Sequence, residues 1–258
     1  MEESLIEGKL LDAANTCYNR SIPVCTDFLD LNVQTILNRM LSSGHHKGKS
    51  GLKMPPVSHI ATGGYDLAER KVVVFLPYDE FPYEIPYDIV KITPVNARFA
   101  EDLTHRDYLG SVMGLGIVRD KLGDIIVTDD CAYIFSIRNI TPYIIENLCQ
   151  VRHTTVKAEI VDVPDFHYTP KFKEIQGTVA SLRLDTVIAL GFGGSRNHLI
   201  TYIEDGKTSV NGRIITSNAY NLKPDDIISV RGLGKIKYIN SVTSTKKGRI
   251  VVIIHKYI

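Results

Sequence analysis

A chain of 258 residues, 44% hydrophobic and 23% charged, has the proportions of a folded globular protein with one to three domains. No apolar run reaches the roughly 18 residues of a membrane span. The acidic start Met1-Glu2-Glu3-Ser4 has the wrong charge for a signal or transit peptide, so a cytoplasmic location without membrane attachment is expected. Four cysteines (Cys17, Cys25, Cys131, Cys149) without a Cys-x-x-Cys pair exclude a disulfide framework and point to reduced thiols, with no metal site.

The net charge of +1 conceals an asymmetry: residues 1–173 carry 18 Lys and Arg against 23 Asp and Glu, whereas residues 174–258 carry 12 against 6, a net +6. A basic module beside an acidic one suggests a polyanion partner, since phosphate neutralisation supplies most sequence-independent affinity for nucleic acid. A solvated charged surface is the plainer reading of the same numbers.

In chain order, the apolar spacing of Leu29, Leu31, Val33, Ile36, Leu37, Met40 and Leu41 predicts an amphipathic helix over Phe28 to Leu41. A polar loop from Ser42 to Gly51 follows it. Lys71 to Leu76 has the β-branched character of a buried strand, and the Pro-rich stretch Phe81 to Pro86 marks a turn and a boundary. From residue 88 the pattern reads strand (Ile89 to Ile92), helix (Arg106 to Met113), two strands (Asp124 to Thr128, Ala132 to Ile137), helix (Thr141 to Leu148) and strand (Val156 to Val161). That βαββαβ order predicts a ferredoxin-like sheet with two helices on one face, the layout of the RNA recognition module. Tyr133 and Phe135 alternate along the third strand, where they either stack bases or fill the core; without the module's aromatic signature, core packing is favoured.

Residues Val163 to Gly177 read as a linker. Two short helices (Ser181 to Ala189, Ser195 to Glu204) come next, then a strand pair joined by Asn211-Gly212, the dipeptide that best tolerates the positive φ angles of a tight hairpin. Strands Ile227 to Arg231 and Arg249 to Ile254 flank a basic middle segment.

Three motifs fail on spacing. Gly44-x-x-x-Gly48-Lys49-Ser50 is one residue short of a phosphate-binding loop and follows a helix, not a strand. His45 and His46 beside it diverge on any regular element and read as solvated. His105-Arg106-Asp107 lacks the kinase Asn, Val112 standing in its place, and reads with Thr104 as a helix cap. Gly191-Phe192-Gly193 has Arg196 where a dinucleotide fingerprint needs its third glycine.

The constellation Arg183-Leu184-Asp185, Gly191-Phe192-Gly193-Gly194-Ser195-Arg196, Gly206-Lys207, Val210-Asn211-Gly212 and Asp226-Ile227-Ile228-Ser229-Val230 resembles the S4-type RNA-binding domain. Three positions depart from that pattern: Thr208 replaces Val, Asp225 replaces Gly, and Leu199 replaces a small residue. The resemblance implies RNA contact by Ser195 and Arg196 at the start of the second helix, where free amides, the dipole and a guanidinium favour a phosphate. Arg183 on the first helix, Lys207, Asn211 and Arg213 at the hairpin, and Arg231, Lys235 and Lys237 beyond it complete the candidate RNA-binding residues. The alternative for Arg183 is an ion pair with Asp185 on a solvated surface. On the RNA reading, Arg196→Glu is expected to weaken binding with little change in stability.

Upstream, Gly63-Gly64-Tyr65, Ala68-Glu69-Arg70-Lys71, Leu103-Thr104-His105-Arg106-Asp107-Tyr108-Leu109-Gly110 and Gly114-Leu115-Gly116-Ile117 resemble the YlmH-type family, which joins a similar region to an S4-type domain. This resemblance implies a non-enzymatic bacterial RNA-binding protein acting on ribosomal RNA and tRNA at the large ribosomal subunit, in the clearing of stalled nascent chains. The rival is an RNA-modifying enzyme, pseudouridine synthase-like or methyltransferase-like, that uses the S4 domain to hold its substrate. The expected architecture is α+β: an N-terminal α/β domain (1–87), a middle domain like the RNA recognition module (88–165) and an S4 domain (174–258). A monomer without cofactor or catalytic residues is expected.

Overall fold

The computed structural model describes residues 3–42, 53–65, 68–162, 166, 168, 171–244 and 248–257. The glycine-rich motif Gly44 to Ser50, with His45 and His46, lies outside them. The chain divides into two compact units, residues 1–168 and 169–258.

The first unit starts with helix α1 (Glu3–Arg20), strand β1 (Val24–Cys25), helix α2 (Leu31–Ser42), and strands β2 (Ser58–Thr62) and β3 (Val72–Leu76). It continues with β4 (Tyr87–Pro94), α3 (His105–Gly114), β5 (Leu122–Val127), β6 (Ala132–Ile137), α4 (Thr141–Asn147), β7 (Gln150–Val151) and β8 (Thr154–Val161). Its larger sheet has the antiparallel order β5-β6-β4-β8-β7. With β7 set aside, that is the strand order of a ferredoxin-like βαββαβ fold. Helices α3 and α4 cover one face through Tyr108, Val112 and Ile144, which pack with Val90, Ile92 and Ile134 of the sheet.

Strand β3 explains the other face. All five of its residues are buried, with no alternation. A strand reads as an unbroken apolar run when both of its faces are covered. Val73 and Phe75 pack against Leu10, Ala14, Ile36 and Leu37 of α1 and α2. Val72, Val74 and Leu76 pack with Phe28 against Tyr87, Ile89, Ile126 and Phe135 of the larger sheet. The layers therefore run helices, small sheet, large sheet, helices. Residues 1–87 and 88–165, expected as two domains, lie in one unit and share this central core.

A hydrogen-bond lock ties the layers. The Asp124 carboxylate accepts from the Tyr65 hydroxyl at 2.7 Å and from the backbone N–H groups of Glu69 at 2.8 Å and Arg70 at 3.2 Å. Burial, then the Asp124 charge, drives the Tyr65 phenol far above its ordinary range. Arg70 reaches back to the carbonyls of Leu122 and Phe28.

The second unit holds β9 (Phe172–Val179), α5 (Leu184–Phe192), α6 (Arg196–Glu204), β10 (Thr208–Val210), β11 (Arg213–Ile214), β12 (Ile227–Val230), β13 (Gly234–Ser244) and β14 (Ile250–Tyr257). These strands form one antiparallel sheet, β11-β10-β12-β13-β14-β9. Both helices pack on one face of it, through Val187, Ile188, Leu199 and Ile203 against Ile228, Ile236, Tyr238 and Ile254.

Three expectations need correction here. The C-terminal part of the linker expected over Val163 to Gly177, from Phe172 on, belongs to strand β9, which pairs along its length with β14. The basic middle segment after residue 231 is mostly the long strand β13. Arg183, expected within the first helix, is instead its N-cap residue, with extended backbone at φ −79° and ψ 148°.

Two of the departures from the S4 pattern have visible consequences. Asp225 stands at φ +70°, the left-handed region that glycine enters at no steric cost. Thr208 is fully buried, and its hydroxyl has no hydrogen-bond partner among the described residues. An unsatisfied buried hydroxyl costs about 1–3 kcal/mol, so Thr208→Val, which keeps the shape and removes the oxygen, is expected to stabilise the protein by about 1 kcal/mol. Urea denaturation reads this, and a loss of stability would mean that the hydroxyl has a partner after all.

Candidate nucleic-acid interface

The sequence builds the candidate interface around one buried carboxylate. Gly193, at φ +70°, ends α5 in a left-handed cap, and Gly194 turns the chain into Ser195, the N-cap of α6. Ser195 accepts from the His198 backbone N–H at 3.3 Å. This turn brings the start of α6 to the start of α5. Asp185, in the first turn of α5, is fully buried and lies between two guanidinium groups. Arg183 donates to it from Nε at 3.3 Å and from Nη2 at 3.1 Å; Arg196 donates from Nε at 2.9 Å and also from Nη2.

One carboxylate neutralises one of the two cations, leaving a net positive charge. The arginine side chains keep 35% and 49% of their exposure, so part of each donor fork still faces solvent. A guanidinium has five N–H donors, and those not spent on Asp185 remain for a phosphate. Asp185 thus holds both side chains in fixed positions at the helix starts.

The hairpin provides the second group of cations. Asn211 and Gly212 both take positive φ, 48° and 75°, and close the turn between β10 and β11. The Asn211 amide is committed to the fold: it donates to Asp226 at 2.8 Å and accepts from the Ile227 backbone N–H at 2.9 Å. Lys207 and Arg213 are exposed on either side of this turn. The Arg231 backbone N–H donates to the Lys207 carbonyl at 2.8 Å, which puts these two cationic residues at the same sheet end.

Lys235 and Lys237 do not join this group. They alternate along β13 with Ile236 and Tyr238, which are fully buried under the helices, so the two lysines project from the opposite face of the sheet. Two residues absent from the sequence expectations lie beside Lys207. His198 and Tyr202, one turn apart on α6, form an edge-on ring pair at 5.5 Å, and the Lys207 ammonium lies 5.7 Å from the Tyr202 ring centre. Their i, i+4 spacing was the available signal.

In the first unit, the two readings of Tyr133 and Phe135 are decided by packing. Phe135 is fully buried and makes ring contacts with Tyr65, Tyr87 and Phe166 at 5.9, 6.2 and 5.3 Å; Tyr133 packs on Phe166 at 5.1 Å. The sheet face on which an RNA recognition module stacks bases is thus occupied by the protein's own core. The Thr104 cap reading also stands: Asp107 accepts from the Thr104 N–H at 2.8 Å and from its hydroxyl at 2.7 Å, and these bonds hold its carboxyl below the usual range. Among the described residues there is no cluster of metal-ligating side chains and no helix long and apolar enough to cross a membrane.

Fold and interface together define an α+β protein with an S4-type RNA-binding unit at its C-terminal end. The S4 domain family matches residues 182–228, and the family described as "Putative RNA-binding domain in YlmH" matches residues 83–165. Both matches lie on this chain, the YlmH-type region first and the S4 domain after it. It is similar to the Ribosome-associated protein quality control protein P2 of Bacillus subtilis (strain 168), with 29% identity over 228 residues, 87% of this chain and 83% of that protein. It is also similar to the Small ribosomal subunit protein uS4 of Pelotomaculum thermopropionicum, 44% identical over 54 residues, 20% of this chain and 26% of that one. A solved structure titled "Cell division protein ylmH from Streptococcus pneumoniae" is 21% identical and covers 64% of this chain and 94% of its own, with a TM-score of 0.49.

Proposed function

We propose that this protein is a non-enzymatic, cytoplasmic RNA-binding protein of translation. It acts as a monomer on structured ribosomal RNA or tRNA at the large ribosomal subunit, in the rescue of stalled translation. The observation that carries this reading is the pair Arg183 and Arg196, held at the starts of two helices by the buried carboxylate of Asp185. Two fixed, partly exposed guanidinium groups beside a capped helix start form a phosphate site, and Lys207 and Arg231 at one end of β10 and Arg213 at its other end are further exposed cations of the same unit. The relatives bear on the setting: one is named for ribosome-associated quality control and the other as a ribosomal subunit protein. The absence of catalysis is supported by how the carboxylates are used. Asp185 serves two arginines, and Asp226 serves Asn211 and the Lys223 backbone N–H at 2.7 Å.

The test is salt dependence. With about five phosphate contacts, the affinity of the intact chain for a structured ribosomal RNA fragment is expected to fall about a hundredfold between 50 and 200 mM monovalent salt. A chain ending at residue 168 is expected to lose that salt-sensitive affinity. Binding that ignores salt, or that survives the truncation in full, overturns the assignment.

A further inference from the structure

Strands β9, β13 and β14 lie wholly outside the residues matched by the S4 domain, and nothing so far gives them a task beyond completing a sheet. Their helix-distal face has a definite composition. The register sets Lys237 opposite His255 and His255 opposite Glu174 across three neighbouring strands. Tyr257 lies opposite Phe172, and the Lys235 ammonium lies 6.0 Å from the Tyr257 ring centre. The two rows are therefore Lys235, Tyr257, Phe172 and Lys237, His255, Glu174.

Phe172 is 41% exposed, an unusual position for a phenylalanine on an edge strand. Its ring is stacked on His255, with centres 3.9 Å apart and planes 12° apart. The pair is thus the start of a stack, one ring carrying another and the outer one open to solvent. Lys235 and Lys237 lie to one side of it on β13, the strand beyond β14, where Lys237 also pairs with the exposed Asp225 carboxylate at 2.8 Å, in a unit whose net charge is positive. An exposed Phe172 ring beside a half-buried Tyr257, with lysines on the same face, offers what unpaired bases and their phosphates require, because every base has a π face and every linkage a negative charge.

We propose that this face is a stacking platform for unpaired bases of single-stranded RNA, with Phe172 and Tyr257 taking bases and Lys235 and Lys237 their phosphates. The proposal deepens the RNA-binding reading and rests on it: the helix starts and hairpin hold structured RNA, while the added strands hold an unpaired segment.

The test uses the intact chain and two labelled probes, an oligouridylate of about 10 nucleotides, within the site sizes of such platforms, and a blunt RNA hairpin. The double variant Phe172→Leu with Tyr257→Leu keeps apolar bulk and removes the rings. It is expected to weaken oligouridylate binding at least about tenfold, by loss of stacking, while hairpin binding and melting temperature hold. Lys207→Glu with Arg213→Glu is expected to do the reverse. Should the ring variant fail to fold, photocrosslinking of a 4-thiouridine oligouridylate to the unaltered protein decides: crosslinks at Phe172, His255 or Tyr257 support the platform. Unchanged oligouridylate affinity in the folded variant, or crosslinks confined to residues 183–213, overturns it, even where hairpin binding keeps the broader RNA reading intact. Loss of a protein contact with RNA binding unaffected gives the face to a protein and likewise overturns it. If neither probe binds the unaltered chain, the broader reading falls as well.

Discussion

Arg196→Glu is expected to lower stability and RNA affinity together, and the stability loss is the larger effect. A view of Arg196 as an exposed first-turn residue implies almost no change in melting, since a carboxylate is tolerated there by the helix dipole. The fold reverses that expectation. The Arg196 guanidinium is bound to Asp185, which has no exposure at all, so the new carboxylate would face a buried one with only Arg183 left to compensate. Removing one partner of a buried ion pair costs about 3–5 kcal/mol; the surviving arm lowers that and the added repulsion raises it, leaving about 3 kcal/mol. For a unit of this size the melting temperature is expected to fall by more than about 10 °C. In the fraction that stays folded, affinity for structured RNA is expected to fall about tenfold to a hundredfold, one charge-assisted hydrogen bond being worth roughly 1.5–3 kcal/mol. Calorimetry beside RNA titration separates the two losses. An unchanged melting temperature would mean that Asp185 does not depend on Arg196.

This double role explains why the site was only half legible in the sequence. The resemblance to the S4-type pattern pointed to Arg183, Asp185, Ser195 and Arg196, and the residues raised an Arg183–Asp185 pair, but they carried no sign that Asp185 is buried or that Arg196 shares it. Burial of a polar residue is a tertiary fact, set here by the turn at Gly193 that folds α6 back on α5. Asn211 shows the same limit, its turn signal being strong while its amide is already spent on Asp226 and Ile227. The middle βαββαβ elements were readable because each strand or helix had a clean period; Ala132 to Ile137 is a strand over the expected residues. Helix α1 is not among the elements expected from the sequence, although Leu10, Ala14 and Cys17 carry helical spacing and are buried. Strand β9 was hidden by Gly177 and its polar residues. Gly177 lies under α5, where an added Cβ would come 2.4 Å from the end of the Leu190 side chain and oblige it to move. The occupied face of the large sheet was signalled by Val72 to Leu76 alone: a five-residue apolar run must be covered twice, and its second cover is the surface that binds bases in the RNA recognition module.

A residue that serves the fold cannot report cleanly on RNA, so the decisive substitution lies at the hairpin. Lys207 and Arg213 are exposed; the Lys207 contact with Asp205 at 2.8 Å joins two side chains 47% and 53% exposed, a surface pair worth at most about 1 kcal/mol. Lys207→Glu with Arg213→Glu is therefore expected to change stability by no more than about 1 kcal/mol. Binding is expected to change far more, because two charge-assisted contacts of roughly 1.5–3 kcal/mol each are lost and two repulsions are gained. A loss of about 3–5 kcal/mol, or 10²- to 10⁴-fold in affinity for structured RNA, is expected. The logarithmic salt slope should flatten by about 2, one for each phosphate contact removed. Titrations at several salt concentrations read both quantities. Normal affinity with an unchanged slope would take the hairpin out of the interface, leaving it to Arg183, Arg196 and Arg231. A weakened affinity with an unchanged slope would mean that these side chains act through shape, not charge, and would leave the phosphate assignment without support.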